Sequence, residues 1–181
     1  MRWERLFDDI EAVVMEEERH EHRLEVADRI RHERAQVALI DRIAASTRPV
    51  EMLLANRRRV AGLVRDSGAD WFSLESADQR QWLVPLTAVA QVTGLGREVG
   101  SATRLSRRFS LGYALRALAR SRTPIQLDDR VGRTLSGTID VVGADALDLS
   151  EHPLDVPRRH EQVLAVRVVP FSAIVCLGST S

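Results

Sequence analysis

Side chains able to do chemistry are sparse in this chain, and they do not gather. His20 and His22 are two residues apart in a helix-like stretch, so they point to different sides and do not make a two-ligand metal site. His152 and His160 fall in the segment EHPLDVPRRHEQ with no cysteine near them. Asp140, Asp145, Asp148 and Asp155 could be read as an acid cluster for metal-assisted chemistry, but turns and solvated strand faces collect Asp for local reasons. Cys176, the one cysteine among 181 residues, lies in the apolar run AIVCL and reads as a buried strand residue with no disulfide partner in the chain. No Gly-rich loop leads into a Lys-Ser or Lys-Thr pair, and no nucleophile elbow occurs. The residues point away from an enzyme, and no metal or cofactor is expected.

Binding chemistry remains. Residues 97–122 carry seven arginines, Arg97, Arg104, Arg107, Arg108, Arg116, Arg120 and Arg122, against Glu98, a net of +6. Phe109 and Tyr113 stand among them. Cations on a backbone track with aromatic platforms for bases are what a single-strand binder needs, which nominates Arg104, Arg107, Arg108, Phe109, Arg116 and Arg120 for nucleic acid. A second reading sets the acidic N-terminal stretch against this segment. Residues 1–46 hold 8 Arg and 12 acids, a net of −4, and complementary charge fixes the register of an interface without any other ligand. Arg57, Arg58 and Arg59 read as a solvated hairpin tip, whereas the second half has Asp128 and Asp129 in the comparable stretch. The two halves therefore present different electrostatic surfaces.

The elements that must position these residues follow from punctuation and period. No Gly or Pro occurs before Pro49, and the first 46 residues are rich in Glu, Arg, Ala and Leu, which predicts a long helix, continuous or broken near residues 16–23. Trp3, Leu6, Phe7, Ile10, Val13 and Val14 recur at three-and-four spacing, giving an apolar stripe fit for a coiled coil, a protein partner or packing in cis. After residue 47 the period changes to two. Val50, Met52 and Leu54 alternate, followed by Val60, Gly62 and Val64, then Phe72 and Leu74, then Trp82 and Val84, then Val89 and Val92. Five short strands joined by short links predict a small barrel.

The same grammar returns. Shifted by 75 positions, Pro49, Val50 and Met52 fall on Pro124, Ile125 and Leu127, and Gly62 falls on Gly137. Gly68-Ala69-Asp70 meets Gly143-Ala144-Asp145; after a ten-residue insertion, Val84, Pro85 and Val89 meet Val169, Pro170 and Ile174. Ile40, Ile43 and Ala44 align with Leu115, Leu118 and Ala119, so each unit is a helix followed by five strands. The mid-strand glycines mark bends, and the prolines mark a break before the last strand. The expected fold is α+β, a long N-terminal helix followed by two tandem helix-plus-five-stranded barrels. The expected boundaries are a helical arm at 1–35, a first unit at 36–96, a basic linker at 97–110 and a second unit at 111–181.

The pattern VEMLLANRRRVAGLVRDSGADWFSLES followed by VPLTAVAQV resembles the Sm-like proteins, over residues 36–95 and again over 111–179. The bent second strand with Gly62 and the turn Asp70, echoed by Gly137 and Asp145, carry the likeness. The tandem arrangement also resembles a group of actinobacterial proteins. The resemblance implies small barrels that bind single-stranded RNA through ring pores, but WLVPLTAV and RVVPFSAI place Pro85 and Pro170 where the family's pore motif carries a basic or histidine pair.

Composition sets the outer bounds. Apolar residues make up 44%, and 26 basic groups, all Arg, balance 26 acids, so no global field marks a nucleic-acid or membrane binder. No stretch approaches the length of a membrane span, and MRWERLFDDIEA lacks a signal-peptide core, which predicts a cytoplasmic protein. The function expected is a non-enzymatic binding or scaffolding protein that uses the N-terminal helix, through Trp3, Leu6, Phe7, Ile10 and Val14, for homo-oligomerisation or partner docking. The alternative is an RNA- or DNA-binding regulator working through residues 97–122.

Overall fold

A computed structural model describes residues 37–96, 109–154 and 163–179. The stripe from Trp3 to Val14, most of the expected N-terminal helix, and Arg97, Arg104, Arg107 and Arg108 lie outside them. The described chain starts with helix α1 (Leu39–Ala44) and strands β1 (Val50–Leu54), β2 (Arg59–Ser67), β3 (Trp71–Glu75), β4 (Gln81–Pro85) and β5 (Val89–Thr93). Helix α2 (Leu111–Ser121) follows, then β6 (Ile125–Asp129), β7 (Thr134–Val142), β8 (Ala146–Glu151), β9 (Ala165–Pro170) and β10 (Ile174–Ser179). Alternation decides the strands: in β1, Val50, Met52 and Leu54 are buried while Glu51 is exposed. Pro85 and Pro170 end β4 and β9 and open single 3₁₀ turns, Leu86–Ala88 and Phe171–Ala173, where a missing N–H costs no ladder bond.

The strands form one antiparallel sheet in the order β5-β1-β2-β3-β4-β10-β6-β7-β8-β9. This corrects the expected class. Among the described residues there are two short helices, of 6 and 11 residues, and one ten-stranded sheet in place of two tandem α+β barrels. The reason lies in the fourth and fifth strands. β5 turns back to pair with β1, not β4, so the outer edge of β4 is left with open backbone donors and acceptors. β10 takes that edge: Leu177, Gly178 and Ser179 pair with Leu83, Trp82 and Gln81.

Register nonetheless repeats residue for residue. Val50 faces Gly62 as Ile125 faces Gly137, and Met52 faces Val92 as Leu127 faces Leu177. β2 and β7 carry the same irregularity, between Val64 and Asp66 and between Ile139 and Val141. Two apolar clusters result, and β10 serves both. Ile174 and Leu177 pack with Leu115, Ile125, Leu127 and Leu149, whereas Val175 and Cys176 pack with Met52, Phe72, Trp82 and Val84. The first half's core is thus completed by the last strand of the second half.

Candidate functional site

The seam between the halves is where polar and aromatic side chains converge. The turn Gly68-Ala69-Asp70 holds the start of α2. The Asp70 carboxylate accepts the Leu111 N–H at 2.7 Å, the Ala69 N–H donates to the Phe109 carbonyl at 2.9 Å, and the Trp71 indole N–H donates to the same carbonyl at 3.0 Å. Asp70 therefore caps from across the seam, supplying an acceptor for one of the helix's unpaired N-terminal amides. Arg130 spans the seam too. Its guanidinium donates to the carbonyls of Thr87 and Ser172, which occupy matching places in the two 3₁₀ turns.

Replacing Trp71 with Phe keeps most of the buried ring and removes the donor. A loss of about 1 kcal/mol is expected in urea unfolding, the usual net worth of one such bond. An unchanged midpoint would show that the indole N–H carries none of the seam's stability.

Above this staple lies an apolar groove of about 670 Å³, lined chiefly by Trp71, Ser73, Leu83, Phe109, Tyr113 and Leu118. Phe109 and Tyr113 stack with ring centroids 4.4 Å apart and stay partly exposed on its rim. Of the nominated arginines within the described residues, Arg116 donates to the Gly143 carbonyl at 3.2 Å, and Arg120 is exposed on the same helix. Arg122 pairs with Asp140 at 3.0 Å. The structure therefore brings Phe109 and Tyr113 together and turns Arg116 and Arg122 toward the second half.

Two expectations change on contact with the fold. Arg58 is not a solvated tip residue: its guanidinium is ion-paired with Asp128 and lies over the Trp82 ring, 4.2 Å from its centroid. Asp128 is 3% exposed and also accepts the Thr134 hydroxyl at 2.7 Å. Cys176 lies 3.6 Å from the same carboxylate, and burial, with Asp128's charge second, pushes its thiol up to about 12. It is a core residue and not a nucleophile. His152 is buried rather than displayed on a loop, held between the Thr138 hydroxyl and the Pro153 carbonyl at 2.8 Å each.

Asp140, placed in the imagined acid cluster, pairs with Arg122 and accepts the Ser150 hydroxyl. Among the described residues, no three His, Cys, Asp or Glu side chains gather as a metal site, and no helix is long and apolar enough to cross a membrane. Trp71 and Leu83 were not nominated from sequence. Their signal was present in the repeat, where Trp71 and Leu83 stand at the positions of Ala146 and Val168.

The chain defined by this fold is a duplicated antiparallel β-protein with a stapled seam and an aromatic-rimmed groove. Compared with known proteins, it matches no family model, no curated protein and no solved structure.

Proposed function

We propose that the protein is a non-enzymatic, cytoplasmic binding and scaffolding protein of Sm-like kinship, with Trp3, Leu6, Phe7, Ile10 and Val14 as its docking stripe. The observation that carries this reading is apolar surface left open on the second half. Val141, Leu164, Val166 and Val168 are 56%, 74%, 61% and 69% exposed, apolar side chains whose burial against a partner would be favourable. A second reading has one observation in its favour. The exposed Phe109–Tyr113 stack, on a helix bearing Arg116 and Arg120, suits a base of single-stranded RNA or DNA.

One capture experiment separates the two. Immobilised full-length protein is exposed to extract from its own cells and crosslinked, and the retained material is sorted into protein and nucleic acid. The scaffold reading expects nuclease-resistant protein partners that are lost when Trp3, Leu6 and Phe7 are replaced by Ser. Retention of nucleic acid instead, falling steeply as salt rises, would overturn it in favour of the second reading.

A further inference from the structure

The turns joining β1 to β2 and β6 to β7 are one turn built twice from different residues. In the first, the Arg57 N–H donates to the Leu54 carbonyl at 2.9 Å and the Leu54 N–H to the Arg58 carbonyl at 2.8 Å. In the second, the Gly132 N–H donates to the Asp129 carbonyl at 3.2 Å and the Asp129 N–H to the Arg133 carbonyl at 2.9 Å. Arg57 and Gly132 share one repeat position, and both are left-handed, with φ +67° and +84°. Glycine takes that backbone without steric cost, whereas an arginine there is strained. The second copy shows that the turn closes with glycine, so the reason for Arg57 lies outside the turn.

The side chain of Arg57 is exposed, and among the described residues it makes no hydrogen bond or ion pair. Arg133 is exposed too, and among the described residues its guanidinium makes none. Arg130 is pinned. Its Nε donates to the Ser172 carbonyl at 2.5 Å and its Nη2 to the Thr87 carbonyl at 2.8 Å, so the charge is fixed in place by carbonyls and met by no carboxylate among the described residues. The three lie on one rim. The Ala55 N–H donates to the Ala88 carbonyl at 2.8 Å and Arg130 to that of neighbouring Thr87, which sets both turns against Leu86–Ala88, and the Arg58–Asp128 ion pair ties them together. Asp129 uses one carboxylate oxygen to accept the Val131 and Arg133 amides at 3.0 and 2.7 Å. Arg57, Arg58, Arg130 and Arg133 against Asp128 and Asp129 leave the rim at +2 in a chain whose net charge is zero.

We propose that this rim binds the phosphate backbone of a nucleic-acid duplex, with Arg57, Arg130 and Arg133 as the contacting cations. The guanidinium fork matches phosphate oxygens, and closely spaced phosphates release counterions when cations replace them. An acidic protein partner suits the rim less well. Interfaces of that kind are anchored by apolar side chains, and the one large apolar residue these turns expose is Val131, at 82%. Exposed ion pairs without such an anchor contribute little. A single strand suits it less well too, because its bases need aromatic platforms. The ring at this place, Trp82, is buried with Arg58 lying over it. A duplex brings its phosphates already ordered and asks for no platform.

Contacts to phosphates alone carry no sequence information, so binding is independent of base sequence. Three cations give a slope of about −3 when the logarithm of affinity is plotted against that of salt. The inference goes beyond both readings above, since it uses neither the N-terminal stripe nor the Phe109–Tyr113 stack.

The test titrates full-length protein onto a short labelled DNA duplex, the RNA duplex of the same sequence and one separated strand, with anisotropy read from low to physiological salt. A duplex is expected to bind more tightly than the strand, and the tighter of the two duplexes names the source of the phosphates. Arg57→Gly combined with Arg133→Gln should weaken duplex binding about tenfold or more at low salt and flatten the slope by about 2. Arg57→Gly alone should hold or raise the urea midpoint, because glycine relaxes the left-handed backbone, so that lost binding is not lost folding. No duplex binding at low salt, or affinity and slope unchanged in the double variant, would overturn the inference. So would tighter binding of the single strand, or a lower midpoint in Arg57→Gly, which would return that arginine to the fold. Protein capture through the N-terminal stripe would survive each of these outcomes, so the two failures are distinguishable.

Discussion

Replacing Gly137 with alanine should cost about 3–5 kcal/mol, a large part of what a domain of this kind has to lose. Gly137 sits opposite Ile125 in the β6–β7 ladder, and a Cβ there would overlap the carbonyl oxygen of Ser150 and crowd Glu151. Backbone atoms of a paired strand cannot step aside as a side-chain tip can, so the strain opens the β7–β8 ladder. Gly62 has the same relation to the Glu75 carbonyl, and Gly62→Ala should cost a similar amount. Gly132 is the control. Its φ is +84° and no atom lies within 4 Å of a Cβ placed there, so Gly132→Ala should cost only about 1 kcal/mol through backbone strain.

The partition of that loss between the halves is informative. Trp71 and Trp82 lie in the first half, yet Trp71 packs in the second core, and Val175 and Cys176 of β10 complete the first. Gly137→Ala should therefore shift unfolding followed by tryptophan fluorescence as much as unfolding followed by circular dichroism. A fluorescence transition left at its original midpoint would show that the first half stands without β10.

Strand positions were legible because they depend on neighbours in sequence. The alternation of Val50, Met52 and Leu54 needs only one buried face, and the Gly62–Gly137 match needs only two copies of one bend. Pairing between strands has no such local signal. Nothing in the period of Trp82 and Val84 tells whether the edge of β4 closes on β5 or accepts a strand from the other half, and the expected barrels failed at that step. Arg58 failed for the same reason, since its carboxylate partner is 70 residues away. The candidate site was half legible. Phe109 and Tyr113 stood out as aromatics among charges, but the groove beneath them needs Trp71 and Leu83, which stand one place off the buried alternation of Phe72, Leu74, Trp82 and Val84 and carried no signal in that period until the seam placed them under α2.

Asp128→Ala should be the most damaging change of a polar side chain, at about 2–4 kcal/mol. The residue lies in β6 at the seam, and its carboxylate is nearly sealed from water while it holds the Arg58 guanidinium and the Thr134 hydroxyl. Removing one member of a buried pair leaves the other charge without its counter-ion in a place built for both. The low end of the range applies as far as Arg58 reaches solvent, its side chain being 30% exposed. Asp128→Asn keeps an acceptor for Thr134 and should lose about half as much.

The decisive variant removes both charges. Arg58→Met retains an aliphatic chain to lie over Trp82 in place of the cation, so the pair Arg58→Met with Asp128→Ala should lose less than the two single changes added together. A coupling of about 1–3 kcal/mol is expected from denaturant midpoints, the range for residues in one buried network. Strict additivity would mean that the ion pair contributes nothing to joining the halves, leaving strand pairing and the shared apolar contacts of β10 to hold the seam.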